Sequence, residues 1–521
     1  QDLFIDERMA ALKQAKLFIK QTAAERLLLV NEILFNAREA YYKWSQANNE
    51  VAIYNAFVIN AETRYKGVKR SAEEGDKADI DAAVKAARKA FESGPWKDMS
   101  TSERGKIIWK IGDLILANAD ELAELESVDN GKPLAVARAA DVPLSADLFH
   151  YMAGWATKIT GDTFQISTDH FYTPGQKYFT YTLKEPVGVV GQIIPWNFPL
   201  LMAAWKLGPV LATGNTVILK PAEQTPLSAL RLAEIIQEAG VPDGVLNVVT
   251  GFGEAGAALA AHDDVDKVAF TGSTEVGKMI VQAATGNLKK VTLELGGKSP
   301  NVVFKDVANL DATVQGAASA IFFNHGQCCC AGSRLYIEKP IFNDVVAGVS
   351  EIAKKMKIGP GLESPDMGPL VSKVQFETVT GYIKSGQDEG AKCAVGGGTV
   401  GDKGYFVEPT VLINTNDKMK VIKEEIFGPV VTAEPFEDHN EIIARSNNST
   451  YGLAAAVWTS DLQKALKTAE AFRAGTVWVN TFNIFDAALP FGGYKQSGWG
   501  REMGREILDA YTETKSVIMA K

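Results

Sequence analysis

Three consecutive cysteines are the most conspicuous chemical feature of the sequence. Cys328, Cys329 and Cys330 stand between glycines, directly after a predicted helix over residues 312–323. Glycine on each side of the thiols lets a ligand approach the backbone closely. Buried cysteine is more often a small hydrophobic residue than a nucleophile. The sequence therefore leaves two interpretations open, a packing role and nucleophilic catalysis.

Two further polar residues stand where catalytic groups are often found. Glu294 lies in an apolar predicted strand and precedes two glycines. It is either an ion-paired carboxylate or a base with a raised pKa. Asn197 lies between two prolines, just after another predicted strand. An asparagine in that position either caps a turn or donates its amide to an oxyanion.

Motifs of the kind that bind nucleotides follow other predicted strands. In Lys220-Pro-Ala-Glu223, the acidic residue stands where a dinucleotide fold binds the ribose hydroxyls. A solvated charge pair has the same sequence, so the alternative stays open. Gly251-Phe-Gly-Glu-Ala-Gly256 matches GxGxxG, which is a weak signal in a chain with 46 glycines.

Alternating strands and helices must position these groups. Helical segments separate the strands, including one over residues 228–239 that Gly240 is expected to cap. This order predicts an α/β domain with a parallel sheet, whose ligands bind at the carboxyl ends of the strands. Short β-branched runs, typical of buried parallel strands, occur at residues 187–194, 216–219, 246–249, 268–270, 291–295 and 301–304.

The two ends of the chain give weaker signals. An amphipathic helix is predicted over residues 79–91, whereas the chain before residue 75 is not assigned. Residues 510–521 alternate weakly and are predicted to form an edge strand.

Length and composition exclude several classes of protein. A chain of 521 residues predicts at least two domains, and 46% hydrophobic with 22% charged residues is typical of a globular protein. The 54 basic and 63 acidic residues give a net charge of -9, which disfavours nucleic acid and membrane surfaces as partners. No membrane span or signal peptide is expected. The four cysteines show neither a disulfide framework nor zinc spacing, which favours reduced thiols and a cytoplasmic location.

In chain order, the motifs around Asn197, Glu294 and Cys329 resemble those of the NAD(P)-dependent aldehyde dehydrogenase superfamily. The paired Glu-Leu-Gly-Gly-Lys and Gly-Gln-Cys blocks carry the resemblance, together with Glu-Glu-Ile-Phe-Gly-Pro and Pro-Phe-Gly-Gly-Tyr-Lys-Gln-Ser-Gly nearer the C terminus. The resemblance extends from about residue 76 to the C terminus. Residues 147–155 and 485–491 are most similar to bacterial phenylacetaldehyde dehydrogenases.

The resemblance implies an α/β fold with three parts. A Rossmann-type NAD-binding domain comprises residues 1–163 and 187–297, of which the first 75 are atypical. A catalytic α/β domain comprises residues 298–497. A small β oligomerisation extension, residues 164–186 and 498–521, builds a homodimer or homotetramer.

The resemblance also implies a mechanism for NAD-dependent aldehyde oxidation that needs no metal. Cys329 attacks the aldehyde to form a thiohemiacetal, whose oxyanion is held by the Asn197 amide and the Cys329 backbone N–H. Hydride passes to the nicotinamide, and Glu294 activates the water that hydrolyses the thioester. Lys220 and Glu223 are assigned to the adenosine ribose, Ser273 to the pyrophosphate and Glu425 to the nicotinamide ribose. The full set of implied NAD contacts is Trp196, Lys220, Glu223, Gly253, Ser273, Glu425 and Phe427.

The predicted substrate is a hydrophobic or aromatic aldehyde such as phenylacetaldehyde. The residues that the resemblance implies for the substrate pocket include no Lys or Arg, so an anionic aldehyde would lack a cationic partner there. A broad-specificity aliphatic or betaine-type aldehyde dehydrogenase is the first alternative. A cysteine-dependent acyltransferase or thioesterase and a catalytically silent structural relative are two others. The implied pocket residues are Phe198, Met202, Trp205, Cys328, Cys330, Phe485 and Phe491.

Overall fold

Strands and helices alternate through most of the computed structural model, which describes residues 77–521. The atypical segment, residues 1–75, lies outside this range. Among the described residues, no helix is long and apolar enough to cross a membrane. The α-helices are residues 77–92, Pro95–Asp98, Thr101–Ala117, Ala119–Asn130, Leu134–Val136, Val142–Trp155, Pro199–Ala212, Leu227–Ala239, Gly253–Ala261, Thr274–Ala283, Leu310–Phe322, Phe342–Lys355, Lys373–Asp388, Lys420–Lys423, His439–Asn447, Leu462–Ala471 and Ile507–Ala510.

The strands form two large sheets and two small ones. In chain order, β1 to β18 are Thr163–Phe164, Asp169–His170, Thr173–Pro174, Tyr178–Pro186, Val189–Ile193, Thr216–Lys220, Leu246–Val248, Lys267–Thr271, Lys290–Glu294, Pro300–Val303, Arg334–Glu338, Lys392–Val395, Thr410–Ile413, Val430–Phe436, Ala454–Trp458, Thr476–Val479, Gly498–Trp499 and Thr512–Ala520.

The first large sheet has the order β17-β9-β8-β5-β6-β7 and is parallel except for β17. Strands β5, β6 and β8 are buried along their whole length, as their apolar, largely β-branched sequences predict. The chain passes from β5 to β6 on one side and later returns to β8 on the other, so the strand order reverses between β5 and β8. Open parallel sheets bind ligands outside the carboxyl ends of the strands at such a reversal. Asn197 follows β5 and Glu294 ends β9, so both lie at this edge.

Two predicted helices of the first half of the chain are confirmed. The helix expected over residues 228–239 is Leu227–Ala239, and it ends at Gly240, which adopts the left-handed conformation with φ 107°. The helix expected over residues 79–91 lies within residues 77–92.

The second large sheet has the order β12-β13-β14-β11-β10-β15-β16, and β12 is its antiparallel edge strand. The predicted strand over residues 301–304 is β10 and belongs to this sheet. The helix Leu310–Phe322 follows β10 and ends just before the three cysteines. A loop of this sheet therefore carries the thiols toward the first sheet.

A three-stranded antiparallel sheet with the order β1-β4-β18 joins residues near 180 to the C terminus. The weak alternation of residues 510–521 corresponds to β18, which is an edge strand as predicted and pairs along its nine residues with β4. Phe179, Leu183, Ile518 and Met519 are exposed on these strands. Gly498–Trp499, by contrast, pairs with β9 in the first large sheet.

Candidate active site

A pocket of about 600 Å³ lies beside the carboxyl ends of β5, β8 and β9 and is closed by loops of the second sheet. It brings together most of the residues that the sequence singled out. Lys220, Glu223 and Gly253 are not among its lining residues. The predicted residues that line it are Trp196, Asn197, Phe198, Met202, Trp205, Ser273, Glu294, Cys328, Cys329, Cys330, Glu425, Phe427, Phe485 and Phe491.

The loop that carries the cysteines is unusual in its backbone. Asn324 and His325 have φ of 50° and 58°, and Gly326 has φ of 69°. A Cβ at Gly326 would overlap the Gly428 carbonyl, so this position requires glycine. Three successive left-handed residues turn the chain out of the helix and direct the cysteines toward the pocket.

The three thiols are not equivalent. Cys328 and Cys330 are buried and their Sγ atoms lie 3.4 Å apart, whereas Cys329 is half-buried. Hydrogen bonding with the Cys328 thiol, followed by burial, raises the pKa of Cys329 well above its usual range. Cys329 is thus the most accessible thiol of the three, and it needs a base or a polar environment to ionise.

The Glu294 carboxylate is buried, and no residue in the described part of the chain forms an ion pair with it. Within residues 77–521, neither of its oxygens accepts a hydrogen bond of normal geometry. Burial and then the negative charge of Glu502 raise the pKa of Glu294 well above its usual range, while Lys206 and Arg501 act in the opposite direction. Lys206 itself donates to Glu502 at 2.6 Å. The sequence left Glu294 as either an ion-paired carboxylate or a base with a raised pKa, and its surroundings fit the second alternative.

The Asn197 amide is held in place by the loop that carries the three cysteines. Its Nδ2 donates to the carbonyl of Gln327 at 3.0 Å, one residue before the first cysteine. The Asn324 amide donates to the same carbonyl at 3.0 Å and to the Asn197 carbonyl at 2.9 Å. Asn130 donates to the Trp196 carbonyl at 2.8 Å. An amide nitrogen carries two N–H groups, so Asn197 keeps one for a ligand.

Two glycines after Glu294 let the loops of the two sheets meet. A Cβ at Gly297 would overlap the Cys329 carbonyl, and one at Gly296 would overlap the Glu425 carboxylate. The Gly297 N–H donates to Glu425 Oε1 at 2.8 Å. Burial raises the pKa of Glu425 to about 7. The close approach joins Glu294, Cys329 and Glu425 into one site.

One side of the pocket is aromatic. The ring of Trp205 lies 5.5 Å from that of Phe491 and 6.1 Å from that of Phe485, and the two phenylalanine rings lie 5.6 Å apart. Two further lining residues, Trp196 and Phe427, meet edge to face at 5.2 Å. Neither Lys nor Arg is present among the described residues that line the pocket.

The remaining predicted nucleotide contacts have local partners. Lys220 Nζ lies 3.3 Å from Glu223 Oε2, which is the charge pair that the alternative interpretation describes. Ser273 caps the helix Thr274–Ala283, because its Oγ accepts the Val276 N–H at 3.3 Å. Gly253 is the first residue of its helix, and a Cβ there would meet no atom within 4 Å. Their contacts to a nucleotide stay predictions.

The sequence matches the model of the aldehyde dehydrogenase family over residues 58–517. The chain belongs to the aldehyde dehydrogenase family. A putative aldehyde dehydrogenase, DhaS, of Bacillus subtilis is 55% identical over 446 residues, which are 85% of this chain and 88% of that protein. The structure of the NAD+ complex of aldehyde dehydrogenase from Bacillus cereus matches with a TM-score of 0.83 and 53% identity, covering 85% of this chain and 89% of the other. An indole-3-acetaldehyde dehydrogenase in complex with NAD+ matches with a TM-score of 0.82 and 44% identity, covering 85% and 89%.

Membership of the aldehyde dehydrogenase family confirms the superfamily, the fold class and the oxidoreductase activity expected from the sequence. The closer likeness to phenylacetaldehyde dehydrogenases stays a prediction. Sequence reasoning missed Asn130, Asn324 and the Lys206–Glu502 pair. Lys206 gave a usable signal, since it is a charged residue in the otherwise apolar helix Pro199–Ala212. Asn324 gave a weaker one, since asparagine tolerates the left-handed conformation.

Proposed function

We propose that this aldehyde dehydrogenase oxidises hydrophobic and aromatic aldehydes to carboxylic acids with NAD, through a covalent intermediate on Cys329. One observation carries the proposal. The most accessible of the three thiols shares an aromatic-lined pocket with the Asn197 amide and with a buried carboxylate, Glu294, whose pKa is raised.

Each of the three polar groups has one role. The Cys329 thiol releases its proton to solvent and its sulfur attacks the aldehyde carbonyl. The free N–H of Asn197 and the Cys329 backbone N–H then stabilise the oxyanion of the tetrahedral adduct. Loss of hydride from that adduct leaves a thioester on Cys329. Glu294 in its ionised form takes a proton from a water molecule, whose oxygen attacks the thioester carbonyl. The adduct then releases the carboxylic acid, and the Cys329 sulfur regains a proton as the thiol.

The described residues fit NAD at both ends of the molecule. Gly253 is the first residue of its helix, which has no side-chain cap, and a Cβ at Gly253 would meet no atom within 4 Å, so the N-terminal end of this helix is proposed to contact the nucleotide. Glu425 lies beside Gly297 and Phe427 faces Trp196, where a nicotinamide ribose and ring are proposed to bind. Lys220 and Glu223 are proposed to bind the adenosine ribose, and Ser273 the pyrophosphate. When bound, NAD accepts the hydride that leaves the substrate carbon.

The pocket lining favours an uncharged, aromatic substrate. A carboxylate or phosphate on the aldehyde would be buried among the aromatic rings without a cationic partner. An aryl ring there gains about 0.5–1.5 kcal/mol per aromatic contact beyond its burial. The similarity to an indole-3-acetaldehyde dehydrogenase supports the same class of substrate. Phe198, Met202, Trp205, Phe485 and Phe491 are proposed to contact the side chain of the aldehyde, flanked by Cys328 and Cys330.

The larger organisation belongs to the same proposal. The first large sheet forms the NAD-binding domain, and the second forms the catalytic domain. The three-stranded sheet is proposed to build the homodimer or homotetramer, because an edge strand with exposed Ile518 and Met519 offers both backbone and apolar surface to another copy. A cytoplasmic location is part of the proposal as well.

A panel of aldehydes tests the substrate proposal. NADH absorbance is followed with phenylacetaldehyde, acetaldehyde, betaine aldehyde and succinic semialdehyde under the same conditions. Phenylacetaldehyde is expected to exceed acetaldehyde in kcat/KM by at least about tenfold, the gain of one to two aromatic contacts. A higher kcat/KM for acetaldehyde or betaine aldehyde would refute the aromatic specificity and leave the dehydrogenase activity in place.

A further inference from the structure

A second, smaller cavity lies at the amino-terminal edge of the second large sheet. It is lined by the residues that open β10, β11 and β15 and by the end of the helix His439–Asn447. Its volume is about 10 Å³, which is the size of a site for one water molecule or one monoatomic ion. Arg473, which is exposed, also lines the cavity.

Lys298 lines this cavity, and its amine differs in its contacts from those of the other deeply buried lysines. Lys132, Lys206 and Lys267 each donate to a side-chain acceptor. Lys298 is 2% exposed, and its Nζ has no hydrogen-bond partner within the part of the chain that the structure describes. A buried cationic donor without an acceptor is costly, so an acceptor must come from outside the chain or the amine must lose its proton.

A second unpartnered donor lines the same cavity. The Oγ of Ser446 is buried and makes no hydrogen bond to any described residue. Its backbone carbonyl, by contrast, accepts from Arg334 at 2.8 Å, and Arg334 also donates to the Lys298 carbonyl at 2.8 Å. Arg334 therefore covers the negative carbonyl end of the helix while leaving the hydroxyl and the amine free.

The charges around the cavity are mainly positive. Burial and then the charge of Arg334 lower the pKa of Lys298 to about 7, although Glu425 and Glu424 oppose the shift from beyond hydrogen-bond distance. Burial, followed by Arg473 and Arg334, also lowers the pKa of Lys495. A water molecule would satisfy the two free donors but would leave this excess of positive charge uncompensated.

We propose that the cavity binds one small inorganic anion of the size of chloride, held by Lys298 Nζ and Ser446 Oγ and stabilised by the charge of Arg334. The anion supplies the acceptor that both donors lack, and it offsets the cluster of cations. The site is separate from the aldehyde pocket. It fixes the end of the segment that begins at Glu294, since Lys298 follows that residue by four positions.

Bromide diffraction and thermal unfolding test the proposal on the full chain. Crystals soaked in sodium bromide are expected to show an anomalous peak within hydrogen-bond distance of Lys298 and Ser446. In solution, sodium chloride is expected to raise Tm by about 1–2 °C above sodium gluconate at equal ionic strength. Lys298→Met should abolish that difference.

The matched control is Lys289→Met. Lys289 is also buried, but its Nζ donates to two backbone carbonyls at 2.8 Å and does not line the cavity. This variant should keep the chloride effect. The proposal is overturned if an ordered water without anomalous signal occupies the cavity, or if Lys298→Met responds to chloride as the wild type does. If Lys298→Met does not fold, the bromide peak in wild-type crystals decides alone.

Discussion

The reaction end and the nucleotide end of the site differ in how their side chains are held. At the reaction end, Asn197 and Cys329 come from loops of two sheets and Glu294 ends β9, and contacts between the loops of the two sheets bring them together. At the nucleotide end, Lys220 pairs with Glu223 three residues away, and Ser273 caps the helix that follows it. The first arrangement places reactive groups before any ligand arrives. In the second, a ligand must displace a local partner.

Loss of the proposed nucleophile at the reaction end should lower kcat more than any other change at either end of the site. Cys329→Ala is expected to lower kcat by at least about 10⁴-fold, because no other residue enters the covalent intermediate. Cys328→Ala and Cys330→Ala serve as matched controls and should change KM or substrate preference instead. NADH production by Cys329→Ala at the wild-type rate would refute the assignment.

Removal of the oxyanion donor should have the next largest effect. Asn197→Ala is expected to lower kcat by about 10²–10³-fold, the usual cost of one donor. The loop is also held by Asn324 and Asn130, so the free energy of unfolding should change much less than the activation energy. A variant with lower Tm and normal kcat would instead make Asn197 a turn residue.

The effect at the nucleotide end should be smaller, and it should appear as a preference for NAD over NADP. At its proposed place beside the adenosine ribose, Glu223 would repel a 2′-phosphate by up to about 4 kcal/mol at ~4 Å, and solvent screening of this part-exposed carboxylate would reduce that value. We expect kcat/KM with NAD to exceed that with NADP by at least about tenfold, and Glu223→Gln to narrow the ratio. Equal values for the two cofactors in the wild type would mean that Glu223 keeps its pairing with Lys220.

The pH profile should show the smallest change. Glu294 must be ionised to act as a base, so a raised pKa makes kcat fall as the pH decreases through that pKa. Glu502→Gln removes a negative charge and frees Lys206, and both changes lower the pKa of Glu294. The acidic limb should move to lower pH. A limb that stays in place while Tm is retained would show that Glu502 does not act on Glu294.

The sequence predicted the two ends of the site unequally, for physical reasons. Short β-branched runs are local signals, and the strands they predict are present. The glycines beside Glu294 and Cys329 are local signals as well, but protein loops rather than a ligand approach Gly296, Gly297 and Gly326 in the structure. The charge pair of Lys220 with Glu223 was also predictable, since its members lie three positions apart in the sequence. Contacts between distant segments were not readable, because Asn324 meets Asn197 across 127 positions and Lys206 meets Glu502 across 296. Such pairs depend on how segments far apart in the sequence pack together, which no local pattern encodes.

Trapping the covalent intermediate tests the central claim most directly. Glu294→Gln is mixed with NAD and phenylacetaldehyde until NADH formation stops, then quenched in acid and digested for mass spectrometry. The account predicts about one NADH per active site, since the thioester forms and its hydrolysis is blocked. It also predicts the phenylacetyl mass on Cys329. An acyl group on Cys328 or Cys330, or continued turnover without any acylated cysteine, would contradict it.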